Sequence, residues 1–83
     1  MDEEIILSRL AAQVRDLRLQ RGLTQAALAE RAGVPRLKVV QVEAGNGSVA
    51  ARTYARLIGS LGAELSAAPA RRPTLDEIGK LLA

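Results

Sequence analysis

The 83-residue chain contains no cysteine, histidine, phenylalanine or tryptophan. Without cysteine no disulfide framework can form, and the composition suits a reducing compartment such as the cytoplasm. A zinc site is not expected, because its two commonest ligand types are missing. Histidine and cysteine are also the usual base and nucleophile of acid–base and acyl-transfer chemistry. No paired carboxylates replace them, so we expect no enzymatic activity, no cofactor and no metal site.

Long apolar runs are absent too, and no stretch approaches the length that spans a bilayer. The acidic start, Met1 to Glu4, does not resemble a signal peptide. These two observations predict a cytoplasmic protein without membrane contact. With a single tyrosine as its only aromatic residue, the core must consist of small aliphatic side chains. Each buries little area, so stabilisation by a second subunit is expected.

Apolar periodicity predicts helices over about residues 3–21, 25–32, 35–44 and 49–61. Asp2 and Thr24 are expected to cap the first and second helices. Helix ends are expected at four glycines: Gly22, Gly33, Gly45 and Gly62. The first helix presents one apolar stripe, which consists of Ile6, Leu10, Val14 and Leu17. The fourth presents Tyr54, Leu57, Ile58 and Leu61.

Residues 24–45 predict two short helices packed against each other with a tight turn between them. Leu28 and Ala32 place apolar surface on one face of the first of these helices. Val39 and Val42, three residues apart, do the same for the second. The spacing therefore predicts that both valines are buried.

The connection between these two helices combines three specific features. Ala29 stands where the helices come closest, and a larger side chain there would push them apart. Gly33 permits a left-handed backbone at the end of the helix. Val34 fills the turn, and Pro35 is expected to open the next helix. A plain helical hairpin does not need all of these together, whereas a helix-turn-helix does.

Two stretches, residues 23–34 and 57–62, resemble the Cro/repressor (Xre-type) helix-turn-helix family, and the likeness extends over residues 5–62. The resemblance implies an all-α, lambda-repressor-like bundle of four or five helices. It also implies that residues 1–62 form a DNA-binding domain. The alternative is a helical hairpin in a small bundle that does not bind DNA.

The distribution of charge supports this resemblance. Residues 5–62 carry nine basic and three acidic side chains, whereas residues 63–83 carry three of each. The basic excess therefore lies on the part that resembles a DNA reader. Scattered arginines that merely solvate helices are the alternative interpretation.

Base contacts are predicted from the outward face of the third helix. If Val39 and Val42 point inward, then Arg36, Leu37 and Gln41 point outward. Arg36 suits guanine, Gln41 suits adenine, and Leu37 suits a thymine methyl group. The family reads DNA from these positions. Non-specific phosphate contact by Arg36 and packing by Leu37 remain alternatives.

Phosphate contacts are predicted from the start of the second helix, where Thr24, Gln25 and free backbone N–H groups face outward. Lys38, to the side of the third helix, is a further candidate. Asn46 and Ser48 in the following loop are secondary candidates, and turn formation is an equal alternative for them.

Val40 does not fit the pattern of a polar outward face. It should be exposed where the family usually has a polar residue. A methyl group on DNA and a partner protein are both possible contacts, and the sequence does not choose between them.

The resemblance also implies that Arg18 pairs with Glu43, as in relatives with this arginine and glutamate. Such a pair would fix the third helix against the first. If it is buried, removal of one partner is expected to cost on the order of 3–5 kcal/mol. If it is exposed, the cost should be far smaller.

Residues 63–83 differ in character from the bundle and are predicted to comprise a dimerisation strand, a linker and a short helix or tail. The segment 63–68 alternates weakly, with Leu65 and Ala67 on one side, and predicts a short strand. A lone strand is not stable, so we expect it to pair with the same strand of a second copy. Leu65 and Ala67 are the expected dimerisation residues.

The last residues predict a linker followed by a short helix. Residues 69–73 contain two prolines and two arginines and predict a stiff, exposed linker. Thr74 and Glu77 have the spacing of a capping box, which predicts a helix from residue 75 onward.

The tail resembles HipB-like antitoxins, in which paired strands accompany the helix-turn-helix bundle. This implies a homodimer that represses its own operon at a palindromic operator and binds a cognate toxin, a HipA-like kinase or another. Two alternatives remain open. One is a stand-alone repressor without a toxin, and the other is a protein-interaction module that has lost DNA binding.

Overall fold

The computed structural model describes residues 1–70 of the chain. Within that range the chain forms four helices and no strand. They are α1 (Glu3–Gln20), α2 (Gln25–Ala32), α3 (Arg36–Glu43) and α4 (Ala51–Ser60). The predicted all-α bundle is therefore confirmed for the described residues.

Two side chains cap the first two helices as predicted. The carboxylate of Asp2 accepts the N–H of Ile5 at 3.0 Å, and the hydroxyl oxygen of Thr24 accepts the N–H of Ala27 at 3.0 Å. Each cap satisfies an N–H group that the helix cannot pair internally. The caps thereby fix where α1 and α2 begin.

Every helix ends on the same pair of backbone hydrogen bonds around a glycine. At the end of α2, the N–H of Val34 donates to the carbonyl of Ala29 at 3.0 Å, and Gly33 donates to Glu30 at 3.2 Å. This arrangement gives Gly33 a φ of 70°, where a Cβ would be strained. The same pattern ends the other helices at Gly22, Gly45 and Gly62.

The starts of α3 and α4 lie later than predicted. Pro35 has a φ of −60°, as a helix requires, but its ψ of 143° is extended, so α3 begins at Arg36. Ala50 has the same geometry, with a ψ of 144°, and α4 begins at Ala51. Val49, expected in the first turn of the fourth helix, is instead a buried residue of the loop. Neither Pro35 nor Ala50 has a side chain that caps its helix.

The core is made of small aliphatic side chains and the single tyrosine. Its buried members are Val14, Leu28, Ala29, Val39, Val42, Val49, Tyr54, Leu57, Ile58 and Leu61. All three later helices contribute to it, and α1 contributes mainly through Val14. The apolar face predicted for the fourth helix is therefore confirmed.

The apolar stripe of α1 is buried only in part. Val14 is buried and Leu10 and Leu17 pack partly against the core, but Ile6 is 52% exposed. The buried residues of α1 are Ala11, Val14 and Arg18. In the earlier turns the half-buried residue is Leu7, which lies beside Gly47 of the loop after α3, and Ile6 faces away from that contact. The expected burial of Ile6 is therefore wrong for the single chain.

Residues 63–70 follow α4 without regular secondary structure. Ala63 packs partly against the core, whereas Leu65 is half-exposed. Residues 63–68, for which a strand is predicted, have no strand partner among residues 1–70. The strand and its pairing with a second copy stay predictions, because a lone strand is not stable without a partner. The linker beyond residue 70 and the capping box at Thr74 and Glu77 lie outside the described residues.

None of the helices within residues 1–70 combines the length and the apolar character that crossing a membrane requires.

Candidate nucleic-acid interface

The contact between α2 and α3 depends on one small residue and one tight turn. Ala29 is buried at 4% exposure, and Leu28 beside it is fully buried. Val34 fills the turn and packs partly against the core. A side chain longer than alanine at position 29 has no free volume in such a packed contact. The contact at Ala29 and the turn after it therefore fix the position of α3 against α2.

One face of α3 is buried and the opposite face is open to solvent. Val39 and Val42 are both fully buried, at 0% exposure. Arg36 and Leu37 are exposed, and Gln41 is half-buried. The predicted orientation of the valines is therefore confirmed, and Arg36 and Leu37 lie on the open face. Gln41 lies at its border, less exposed than the sequence predicted.

The open face also carries Val40, at 39% exposure, beside Leu37 at 61%. Lys38 is half-buried, as expected for a residue at the side of the helix. The face that α3 turns to solvent thus combines one arginine with two apolar side chains.

Arg18 of α1 and Glu43 of α3 form the pair that the resemblance implied. Arg18 donates from Nε to Glu43 at 2.7 Å and from Nη2 at 2.9 Å. A third donor, Nη1, reaches the carbonyl of Leu23 at 2.8 Å. The pKa of Arg18 is raised, mainly by the hydrogen bond to Glu43, while burial opposes that change. The side chains are 10% and 6% exposed, so the pair is nearly buried.

Gln25 is connected to the same pair, which the sequence did not reveal. Its side-chain amide nitrogen donates to Glu43 at 3.4 Å, a long hydrogen bond. Gln25 and Glu43 are eighteen residues apart in the chain, and no periodicity predicts such a contact. The start of α2, the end of α3 and the end of α1 therefore meet at one carboxylate.

The first turn of α2 is exposed around Thr24. The hydroxyl of Thr24 accepts the N–H of Ala27 and remains free to donate its own hydrogen. Helix geometry leaves the earliest N–H groups of α2 without partners inside the helix. This end of α2 is thus an array of donors suited to an anion.

Asn46 and Ser48 build the loop between α3 and α4. The side-chain oxygen of Asn46 accepts the N–H of Ser48 at 2.8 Å, and its carbonyl accepts the hydroxyl of Tyr54 at 3.0 Å. Burial raises the pKa of Tyr54 above its ordinary value. The turn-forming role that was the alternative for Asn46 is therefore present. Both Asn46 and Ser48 are nonetheless exposed beside the end of α3.

Two packed helices, a glycine turn and a braced second helix with an open face define a helix-turn-helix protein. The Helix-turn-helix domain family model matches residues 9–72. The chain belongs to this family, and the predicted Cro/repressor (Xre-type) resemblance is confirmed.

Solved structures with a similar fold agree with this membership. One is an HTH_3 family transcriptional regulator from Vibrio cholerae, with a TM-score of 0.67 and 30% identity. The match covers 76% of this chain but 35% of that one, so the chain spans about a third of its length. Another, described as MDT Protein, has a TM-score of 0.70 and 23% identity, and the match covers 78% of this chain and 92% of that one. No curated protein matches the chain.

Proposed function

We propose that this protein is a sequence-specific DNA-binding transcriptional repressor. The observation that carries the proposal is that α3 has one buried and one exposed face. Val39 and Val42 are buried, whereas Arg36 is exposed to solvent. In helix-turn-helix proteins the second helix of the motif enters the major groove, and its first residues meet base edges. In this chain the second helix of the motif is α3, and Arg36 is its first residue.

Three side chains of α3 are proposed as base contacts. Arg36 donates to guanine, Gln41 pairs with adenine, and Leu37 touches a thymine methyl group. Each good pair discriminates against a wrong base by roughly 1–3 kcal/mol. The exposure of Arg36 and Leu37 supports their proposed contacts, and the half-buried Gln41 is the least exposed of the three side chains.

Five residues around this face are proposed to contact phosphates, which position the protein without reading sequence. They are Thr24, Gln25, Lys38, Asn46 and Ser48. Thr24 and the free N–H groups of α2 offer the donors that an anion needs. Gln25 is held at Glu43 by its amide nitrogen, so its proposed contact runs through the backbone N–H of the first helical turn.

A homodimer is proposed as the form that binds DNA, with residues 1–62 as the DNA-binding part and residues 63–83 as a dimerisation strand followed by a linker and a short tail. In support, Leu65 and Ala67 line a groove of about 810 Å³ together with Ile6 and Leu10 of α1. The groove exposes apolar surface that a second copy would bury. A two-fold dimer reads two half-sites about 34–36 Å apart, which requires a palindromic operator.

As a finer proposal, the protein is the antitoxin of a toxin–antitoxin pair that represses its own operon in the cytoplasm. The likeness of the tail to HipB-like antitoxins supports it, and the partner is then a toxin such as a HipA-like kinase. A stand-alone repressor is the second candidate, which the similar Vibrio cholerae protein favours because it is described as a transcriptional regulator. Co-purification of the untagged protein from its native operon separates them, since only an antitoxin brings a neighbouring gene product with it.

The experiment that tests DNA binding measures the affinity of the full chain for the DNA upstream of its own gene at several salt concentrations. We expect log K to fall linearly with log salt, with a slope of about −0.9 for each phosphate neutralised. Binding that does not respond to salt, or no binding to any duplex, would leave the module with a protein-interaction role instead.

A further inference from the structure

Leu37 and Val40 form an apolar pair on the open face of α3, at 61% and 39% exposure. Single exposed apolar residues are common on protein surfaces. These two are three residues apart and therefore neighbours on one side of the helix. Neither belongs to the core cluster or packs against it. Building on the proposed function, we propose that Leu37 and Val40 together contact the 5-methyl groups of pyrimidines on neighbouring base pairs.

The spacing of the two side chains suits this contact. Residues three apart advance about 4.5 Å along an α-helix, at 1.5 Å per residue. Stacked bases on one strand are about 3.4 Å apart. Two side chains with this spacing on a helix in the major groove reach neighbouring base pairs. Val40 is β-branched and therefore has few rotamers, which keeps its methyl groups in a fixed place.

The surroundings of the pair favour DNA over a protein as its partner. Lysine is depleted at protein–protein interfaces, whereas arginine is enriched there, so the lysine is the residue that bears on the choice of partner. Here Arg36 directly precedes Leu37, and Lys38 lies between the two apolar residues in the chain. Arg36 and the flanking Lys38 thus offer donors for base edges and phosphates next to apolar groups for methyls, and the major groove presents matching acceptors and methyl groups.

Thymine and 5-methylcytosine carry the same methyl group at the same place in the major groove. Selection of binding sites from two random duplex pools distinguishes these sources, one pool with ordinary cytosine and one with 5-methylcytosine. Enrichment of thymine from both pools assigns the contact to thymine. Selection of 5-methylcytosine in the second pool, at positions where the first pool gives thymine, assigns the contact to the methyl group that both bases carry. Either result identifies the base positions at which the methyl group is then removed.

The decisive test replaces thymine with deoxyuridine in the duplex selected from the first pool. The replacement removes the methyl group and keeps every hydrogen-bonding group. Loss of one buried methyl should weaken binding of the full chain about fourfold, from the usual value for a buried CH₂. Val40→Ala should weaken binding to the thymine duplex to a similar extent for each half-site. It should also abolish the effect of deoxyuridine at one position in each half-site, whereas Leu37→Ala should do so at the adjacent position.

Arg56→Ala serves as the matched control, since it changes an exposed side chain on α4. It should leave the ratio of thymine to deoxyuridine affinity unchanged. Thermal unfolding of each variant shows that the fold is retained. Equal affinity of the parent for thymine and deoxyuridine duplexes overturns the inference and assigns the apolar pair to a protein partner. If Arg36-dependent base preference persists in that case, the proposed function stands. If neither pool yields any bound duplex, the inference and the proposed function both fail.

Discussion

Arg18 on α1 and Glu43 on α3 are joined by two parallel N–H···O bonds, of 2.7 and 2.9 Å. This bidentate geometry is the strongest form of arginine–carboxylate contact. Because the third arginine donor holds the carbonyl of Leu23, the pair also fixes the connection between α1 and α2. The last residue of α3 is thereby anchored to two other parts of the bundle.

Removal of either partner should destabilise the protein by about 3–5 kcal/mol, because it leaves the other charge nearly buried and unpaired. Urea unfolding of Arg18→Ala and Glu43→Ala measures this cost. The double variant Arg18→Met with Glu43→Leu replaces the charges with apolar side chains and should lose less than either single variant. Losses within the range of exposed pairs, about 0–1 kcal/mol, would show that the pair does not brace α3.

Two glycines should respond to alanine with opposite signs. Gly33 has a φ of 70°, so Gly33→Ala should destabilise the protein by roughly 1–2 kcal/mol although nothing lies within 4 Å of the new Cβ. Gly59 lies in α4 and also has open space around it. Gly59→Ala should stabilise the protein by about 1 kcal/mol, from helix propensity alone. Equal shifts of the urea midpoint for both variants would contradict the left-handed turn at Gly33.

Tyr54 should make stability depend on pH in the alkaline range. Burial raises the pKa of Tyr54 above its ordinary value of 10.0, so the unfolded chain releases the proton before the folded chain does. The contribution of Tyr54 to the free energy of unfolding is complete below the ordinary pKa of tyrosine. It is lost as pH rises through the higher pKa of Tyr54 in the folded chain. Absorbance of tyrosinate measures this directly, since the chain has one tyrosine.

Tyr54→Phe is the control for this titration. It removes the hydroxyl that donates to Asn46 at 3.0 Å, which should cost about 1 kcal/mol. It should also remove the alkaline loss of stability that Tyr54 causes. Formation of tyrosinate at the ordinary pKa in a protein that keeps its helical circular dichroism would contradict the burial of Tyr54.

Gln25→Ala tests whether the side chain of Gln25 reads bases or only supports the start of α2 through Glu43. We expect slightly weaker binding to all duplexes alike, because phosphates carry no sequence information. The backbone N–H remains in the variant, so the loss should arise mainly from weaker support at Glu43. Competition between a selected operator and a random duplex measures the effect. A change of base preference at one position would instead assign Gln25 to base recognition.

The features that the sequence predicted well are those that depend on neighbours in the chain. A capping hydroxyl at Thr24 and a left-handed Gly33 act within four or five residues, so local sequence is sufficient to place them. The burial of Val39 and Val42 also follows from helical periodicity. The pairing of Arg18 with Glu43 was predicted only through resemblance, because nothing local connects them.

The features that the sequence missed depend on how the elements pack against one another. Periodicity identifies Ile6 as part of an apolar stripe, but it does not show that the loop after α3 packs beside Leu7 and leaves Ile6 exposed. The contact of Gln25 with Glu43 likewise arises from the folded positions of α2 and α3. The start of α3 at Arg36 depends on the ψ angle of Pro35, which the ring of proline does not fix.

The most direct test of the whole account is the base preference of Arg36→Ala, measured by selection from a random duplex pool beside the parent and Arg56→Ala. The parent should select a palindrome with half-site centres about 34–36 Å apart. Arg36→Ala should lose preference at one base pair in each half-site, at a cost of roughly 1–3 kcal/mol, and Arg56→Ala should keep the parent's preference. An unchanged selected sequence for Arg36→Ala would contradict the claim that the open face of α3 reads DNA.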